Sequence, residues 1–322
     1  MTQFLSIVWN QPDGFKLGPI TLHYYSLGFV IAFGLGWYIM KQVYDREGES
    51  NEKLDKLFVY TLIATLLGAR LGHVFFYDWP YFSQHPEEIL LPVKFRPEFQ
   101  FTGFTGLASH GAAIAIILAV VWYSKKVIHR PILWVLDRIV LPVTSGGIFV
   151  RLGNFFNSEI VGKPTSADLS TAVKFVRNEE VLDVQGEKVQ LAKHTVTGLT
   201  NTDNVNQAYD LIEHNERYKP IFEAIPYRHP AQLYEAFLYI FVFAIIFYMY
   251  WKTNARKHHG LIFGVFMVLL WAVRFVVEYV KESQGGFEGD NPILSTGQWL
   301  SIPFILVGFW LIATAKKRTE TL

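Results

Sequence analysis

Seven apolar runs, each close to membrane-spanning length, constrain this chain more than any other feature. A helix of ~20 residues crosses the roughly 30 Å hydrocarbon core of a bilayer, and only a helix or a closed barrel can satisfy its backbone there. The runs fall near residues 21–40, 57–77, 106–124, 132–150, 229–251, 260–280 and 294–315. Charged residues gather between the runs instead of alternating with them. They make up 18% of the 322 residues, against about 25% in an ordinary soluble domain. A large soluble protein with buried helices is set aside on that ground.

Loop charge predicts an orientation. Lys41, Arg46, Lys53 and Lys56 follow the first run, and Lys125, Lys126 and Arg130 follow the third. Lys252, Arg256 and Lys257 follow the fifth, and Lys316, Lys317 and Arg318 the seventh. The alternate segments hold fewer: Lys16, then Lys94 and Arg96, then Lys281. The positive-inside rule then places the amino terminus outside and the carboxy terminus in the cytoplasm. No basic stretch precedes an apolar one in the first twenty residues, so the first run is expected to stay in the mature chain.

Two outer segments are long. Residues 78–104 mix aromatics, prolines and charge, as suits an arm lying in the interface. Residues 163–228 are polar; Gln185-Gly186 splits two strand-like stretches, and NQAYDLIEHNERY reads as a helix. The expected fold is an all-α polytopic membrane protein, with seven transmembrane helices and a small mixed extracytoplasmic head domain. Helices 1–4 with the interfacial arm would occupy 1–162, the head 163–228, and helices 5–7 with a cytoplasmic tail 229–322. No internal repeat is apparent, which counts against an inverted-repeat transporter.

With that orientation the polar residues inside the runs form a pattern. Tyr25, Arg70, His73, Tyr77, His110, Arg151, Asn154, Tyr234, Glu235, Arg274, Glu278 and Gln298 all lie toward the outer ends of their helices. The inner halves are nearly all apolar, apart from Asp137 and Arg138. A channel needs polar lining through both leaflets, so this pattern points to a cavity opening toward the outer one. Arg151 and Arg274 are permanent cations with the fork geometry that grips phosphate. Arg274 and Glu278 are spaced i,i+4, which also fits a structural ion pair. Arg151 could instead snorkel to the headgroups. His110, in GLASHGAAIA, is flanked by small residues that permit close approach of a helix or a ligand. Its imidazole suits a general base, and equally a structural hydrogen bond. His229-Pro230 reads as the start of the fifth helix. With a net charge of +1 the chain is an unlikely partner for nucleic acid. There is no cysteine, hence no disulfide, thiolate metal site or cysteine nucleophile. Any thiol must come with a substrate.

Seven segments in order carry a resemblance: LHYYSLG (22–28), GARLGHVFFY (68–77), SHG (109–111), RLGNFFNSEIVG (151–162), RHPAQLYE (228–235), RFVVE (274–278) and GQWLSIP (297–303). In these the chain resembles the bacterial prolipoprotein diacylglyceryl transferase family from first span to last. The RLGN block is the most specific. Val150 stands where that signature usually has glycine, Leu270 where a tyrosine is often found, and the outer insertion is longer than in many relatives.

The resemblance implies an enzyme of the bacterial inner membrane acting on phosphatidylglycerol and on a prolipoprotein signal peptide bearing a lipobox cysteine. It would move the sn-1,2-diacylglyceryl group onto the cysteine thiol as the first step of lipoprotein maturation, releasing glycerol-1-phosphate. It implies catalytic roles for His110, Arg151 and Arg274, with Tyr25, Asn154, Glu159, Gly162 and Glu278 binding or orienting the lipid. No metal or other cofactor is expected. The rival is an anion or lipid transporter that uses the same arginines without forming a covalent product.

Overall fold

The computed structural model describes residues 7–18, 20–91, 93–94, 100–101, 106, 108–283 and 293–319, so the expected arm over 78–104 lies partly outside the described residues. Strand β1 (Ile7–Trp9) precedes a hairpin of β2 (Gly14–Leu17) and β3 (Ile20–His23), which runs into α1 (Tyr24–Glu47). Next come α2 (Asn51–Phe76), the single-turn α3 (Trp79–Phe82), and the short strands β4 (Val93–Lys94) and β5 (Gln100–Phe101). Helix α4 (Ser109–Tyr123) continues as a π-helix over Ser124–Ile128, and α5 (Ile132–Phe156) follows. A mixed segment then holds β6 (Val173–Phe175), β7 (Val181–Val184), β8 (Glu187–Gln190), α6 (Lys193–Thr200), α7 (Val205–His214), α8 (Lys219–Ala224) and β9 (Tyr227–Arg228). The last long helices are α9 (Ala231–Lys252), α10 (Leu261–Val277) and α11 (Thr296–Thr314). These elements form two compact units, Met1–Gly36 with Val140–Leu322, and Trp37–Ile139.

Among the described residues, six helices are long and apolar enough to cross a membrane: α1, α2, α4 with its extension, α5, α9 and α11. The sixth apolar run of the sequence forms α10, which is shorter at 17 residues. It starts after Gly260, at φ +85°, and Glu278 caps its other end. At 1.5 Å per residue it spans about 26 Å. Side-chain caps start two of the long helices. The Ser50 side chain accepts from Lys53 N at α2, and Ser295 with Gln298 forms a reciprocal capping box at α11.

The distribution of side chains is inverted relative to a soluble protein. Val30, Ile31, Leu66, Leu118, Phe241 and Trp310 are exposed, while Asn154, Gln232, Glu235 and Ser301 are buried. Exposed apolar surface on this scale needs an apolar surrounding, and the buried polar groups mark the interior of a multi-pass membrane protein.

In the unit Trp37–Ile139, α2 and α4 pack backbone to backbone. A Cβ on Gly111 would collide with the Gly68 carbonyl and sit 2.6 Å from Gly72 Cα. Gly68 and Gly72, one turn apart on α2, therefore admit α4, the small-residue packing that membrane helices use. The small residues around His110 thus serve a helix contact. Arg70 donates from Nε to the Ile89 carbonyl and from Nη2 to the Glu88 carbonyl, each at 2.7 Å, and lies 4.7 Å from the Phe82 ring centre. Arg70 thereby ties the end of α2 to the segment after it. His73 stacks on Tyr77 and meets Phe82 edge-on. Arg138 is 1% exposed, pairs with Glu47 at 3.0 Å, and lies 4.1 Å from the Trp134 ring centre.

In the unit that contains the remaining residues, 163–228 build a core of their own from Val176, Leu182, Leu191, Val196, Tyr209 and Ile212 with their neighbours. The predicted hairpin is β7–β8, and Gln185 and Gly186 both have positive φ, as a two-residue type I′ turn requires. The predicted helix is α7, whose Asn204 cap accepts from Asn206 N and Gln207 N. Two features depart from expectation. The LAKHTV stretch, read as part of a strand, is mostly α6. And β1 adds in parallel to β6, with β9 on the other side, forming a three-stranded sheet the all-α reading did not contain. Three residues that pair with a partner more than 160 positions away carry too little local pattern to be recognised.

Candidate active site

The site grows from the last turns of α5. Phe155 and Phe156 anchor them by packing on Trp9, at ring separations of 4.5 and 5.5 Å, and Phe155 also meets Phe175. Gly153 lets the first turn of α1 approach: a Cβ there would lie 2.7 Å from the Tyr25 ring. Tyr25 hydrogen-bonds Asn154, and Arg151 Nη1 donates to Asn154 Oδ1 at 3.3 Å. Asn154 is 3% exposed, so it holds both partners from within. Tyr25, Arg151 and Asn154 are therefore brought together.

The partner of Arg151 is Glu235. Arg151 Nε lies 2.5 Å from Glu235 Oε2, and the Tyr239 hydroxyl hydrogen-bonds the same guanidinium. Glu235 and Tyr239 are i,i+4 on α9, so one helix face holds Arg151 at two points. Arg274, near the end of α10, is an electrostatic neighbour of Tyr239 and of Lys281, and Lys281 also feels Arg151, Glu235 and Glu278. Three cations against two carboxylates leave one positive charge in this cluster. Neither Tyr239 nor Lys281 was singled out from sequence. The signal was there for both: Tyr239 shares a face with Glu235, and Lys281 stands i,i+3 from Glu278.

The expected Arg274–Glu278 pair does not form among the described ion pairs. Glu278 caps α10 and its carboxylate faces Gly297, where a Cβ would come within 2.6 Å of both oxygens; its nearest cation is Lys281 at 4.0 Å. The helical geometry continues through Glu278, whose N–H donates to the Arg274 carbonyl, so it is the direction of the side chains and not the end of the helix that separates the pair. Arg274 packs its guanidinium 5.4 Å from the Trp271 ring centre, and its buried Nε has no hydrogen-bond partner among the described residues.

After α5 the backbone turns through Ser158 and Ile160, both at positive φ. For a β-branched residue that conformation is a real outlier, and such strain persists only where the surroundings enforce it. Here the Gln232 amide grips the carbonyl of Glu159 at 2.6 Å, between the two strained residues. The Glu159 side chain is exposed and accepts from Asn157 Nδ2 at 2.5 Å. Gly162 then fits between two backbones, where a Cβ would meet His229 O at 2.5 Å and Val280 O at 2.7 Å. It brings the α5 exit, the entry to α9 and the exit from α10 into one place. His229 faces the Tyr234 hydroxyl at 3.3 Å, which in turn bonds Thr171 at 2.6 Å. His110 belongs to the other unit, in the first turn of α4, where it is exposed and has no hydrogen-bond partner among the described residues.

Chemically, the α5, α9 and α10 ends supply two guanidinium groups, one held rigidly and one with a donor to spare, beside a neutral amide and a phenol. That set fits a phosphate monoester or diester.

Comparison with known proteins identifies relatives along nearly the whole chain. The family model described as prolipoprotein diacylglyceryl transferase matches residues 12–314. The phosphatidylglycerol–prolipoprotein diacylglyceryl transferase of Chloroherpeton thalassium is 35% identical over 315 residues, covering 98% of this chain and 96% of the relative. That of Tolumonas auensis is 35% identical over 97% of this chain and 98% of its own length. That of Porphyromonas gingivalis is 36% identical over 100% of this chain and 99% of its own. With a family model across most of its length and relatives that match it nearly end to end, the chain belongs to the prolipoprotein diacylglyceryl transferase family.

Proposed function

We propose that this chain transfers the sn-1,2-diacylglyceryl group of phosphatidylglycerol to the lipobox cysteine of a prolipoprotein, forming a thioether and releasing glycerol-1-phosphate. One observation carries the reading: Arg274 keeps a buried Nε without a partner beside a second, fixed arginine, in a cluster with net positive charge. Arg228 also has a buried Nε without a hydrogen bond, but it is paired with Glu180 and Glu282, whereas Arg274 has no carboxylate within ion-pair distance among the described residues. The phosphate of an incoming lipid would take the Arg274 donor.

In the reaction the cysteine thiolate attacks the glyceryl C3, the C–O bond to phosphate breaks, and the phosphate gains a negative charge as it leaves. Arg151 and Arg274 bind that growing charge more tightly than the diester, so they lower the barrier instead of only holding substrate. A free thiol titrates near about 8.5, so the proton must be drawn off, and His110 is the base assigned to it. Its exposed imidazole, unengaged among the described residues, supports that role over a structural one. Tyr25 and Asn154 orient the headgroup next to Arg151, Glu159 presents its carboxylate toward the glycerol hydroxyls, and Glu278 balances Lys281. Gly162 supports the site by packing the α5 exit against the entry to α9 and the exit from α10.

The membrane reading accompanies this. We take α10 as the seventh span, tolerable at its length with local thinning of the bilayer. Loop charge puts the amino terminus outside the inner membrane and the carboxy terminus in the cytoplasm. Residues 163–228 then form an extracytoplasmic head between the first four helices and the last three.

The test is transfer by purified protein in detergent, from phosphatidylglycerol to a lipobox peptide, following lipidated peptide and glycerol phosphate together. Product with the wild type and none with a folded Arg151→Ala protein is expected. Activity remaining in His110→Gln would make that histidine an orienting group. Flux of a labelled anion without covalent product would establish the transporter instead.

A further inference from the structure

The unit Trp37–Ile139 carries a second basic cavity, at the ends of α2 and α4, that the transfer chemistry does not use. Its volume is about 360 Å³, and its lining includes Glu52, Lys53, Lys56 and Tyr60 of α2, with Trp122 and Lys126 from the end of α4 and its π-helical extension. The site is built, not loose. The Tyr123 hydroxyl donates to the Lys53 carbonyl at 2.9 Å and bonds the Tyr44 hydroxyl at 2.7 Å, both in the buried interior. Lys53 pairs with Glu49 at 2.7 Å and Lys56 with Glu52 at 2.6 Å, each one helical turn back. Tyr60 and Trp122 meet edge to face at 5.0 Å, and Trp122 stays half exposed.

Lys126 is the exception. It has no hydrogen bond or ion pair among the described residues, and because Glu49 is shared by Lys53 and Arg130, four cations stand against the two carboxylates Glu49 and Glu52. It sits in a π-helical turn, an uncommon geometry that concentrates at functional sites. Exposed tryptophan and tyrosine at helix ends mark headgroup depth, and basic pockets between spans on the cytoplasmic side suit anionic headgroups.

We propose that this cavity binds the phosphodiester or phosphate headgroup of an anionic phospholipid of the inner leaflet, at a site separate from that of the donor lipid. Lys126 supplies the unshared cation, Lys53 and Lys56 flank it, and Trp122 gives the first part of an acyl chain an apolar wall. A lipid is favoured over a soluble phosphate because the wall next to the cations is aromatic and open. The inference rests on reading α2 and α4 as spans whose lysine-bearing ends are cytoplasmic, and not on the transfer reaction.

Native mass spectrometry of the purified full chain in neutral detergent tests it, with phosphatidic acid as the probe because it lacks the donor's glycerol headgroup. Phosphatidylcholine and inorganic phosphate are run in parallel. The wild type is expected to retain phosphatidic acid and neither of the others. Lys126→Gln should bind it about fivefold more weakly, the share of one basic residue at an anionic surface. Lys126→Arg should restore binding, and transfer to a lipobox peptide should be unchanged in both. Lys126 is exposed, so the substitutions leave the fold intact. Equal retention by wild type and Lys126→Gln overturns the proposal, as does inorganic phosphate binding as tightly as the lipid. Because the readout is binding, a chain that failed the transfer assay would still give a clear answer here.

Discussion

Arg138 and Arg274 both lie within apolar helices, yet their surroundings treat them in opposite ways. Arg138 is almost fully buried, paired with Glu47 and stacked on Trp134. Arg274 faces a ring as well, but no carboxylate within ion-pair distance among the described residues; the buried Nε of both arginines makes no hydrogen bond, so the carboxylate is what separates them. Removing a charge from water is tolerated when a partner and a ring replace the lost hydration. Where the fold supplies no carboxylate, an anionic ligand can supply the counter-charge. Identical residue types in comparable helices thus differ in whether the fold itself supplies their counter-charge.

The largest effect should come from the unsatisfied one. Arg274→Ala is expected to lower transfer by about 10²–10³-fold, the usual loss of a transition-state donor, with thermal unfolding close to wild type. A protein that kept its turnover but lost stability would reverse the comparison. Arg138→Met should do the opposite. It strips the guanidinium from Glu47 and is expected to cost about 3–5 kcal/mol, while activity per folded molecule is preserved. Adding Glu47→Gln should recover part of that loss in the same denaturation assay.

Glu235→Gln lies between the two. It keeps the shape beside Arg151 but removes the charge that fixes its Nε, so turnover should drop about tenfold more than stability accounts for. An unchanged rate would show that Tyr239 and Asn154 hold Arg151 without it. Gly111→Ala sharpens the same contrast from the packing side. The added methyl meets backbone of α2, and overpacking of this kind costs about 1–3 kcal/mol, read as a lower unfolding temperature.

The smallest effect belongs to Lys174, in the core of the 163–228 segment. Its Nζ donates to the Phe222 carbonyl at 2.9 Å and sits 4.5 Å from the Phe222 ring centre, and burial holds its pKa below the usual lysine value. The folded chain releases this proton at lower pH than the unfolded one. Between the two values the unfolded state binds more protons, so stability should rise with pH, and Lys174→Met should flatten that rise in detergent unfolding curves.

Much of the molecule is legible before any coordinates. The apolar runs announce the long helices because a bilayer demands about twenty apolar residues per crossing, a purely local requirement. Gln185-Gly186 announces its hairpin because few dipeptides accept positive φ twice, and RLGNFFNSEIVG announces the family because it is long and specific. Tyr25, Asn154 and Arg151 were also visible as polar residues at the same depth. Their contact could be expected from the pattern, although nothing local required it.

Tertiary structure decided who pairs with whom. Spacing alone joined Arg274 to Glu278, but the Glu278 carboxylate lies against Gly297, and Arg151 takes Glu235 from another helix. It also set Arg70 on the carbonyls of Glu88 and Ile89, brought Tyr239 and Lys281 into the cluster, and laid Ile7–Trp9 beside Val173–Phe175. Sequence determines which residues are too polar for their surroundings, because hydropathy is a property of each residue and its near neighbours. Which of them remain unsatisfied depends on partners brought in from distant helices, and only the folded chain sets those distances.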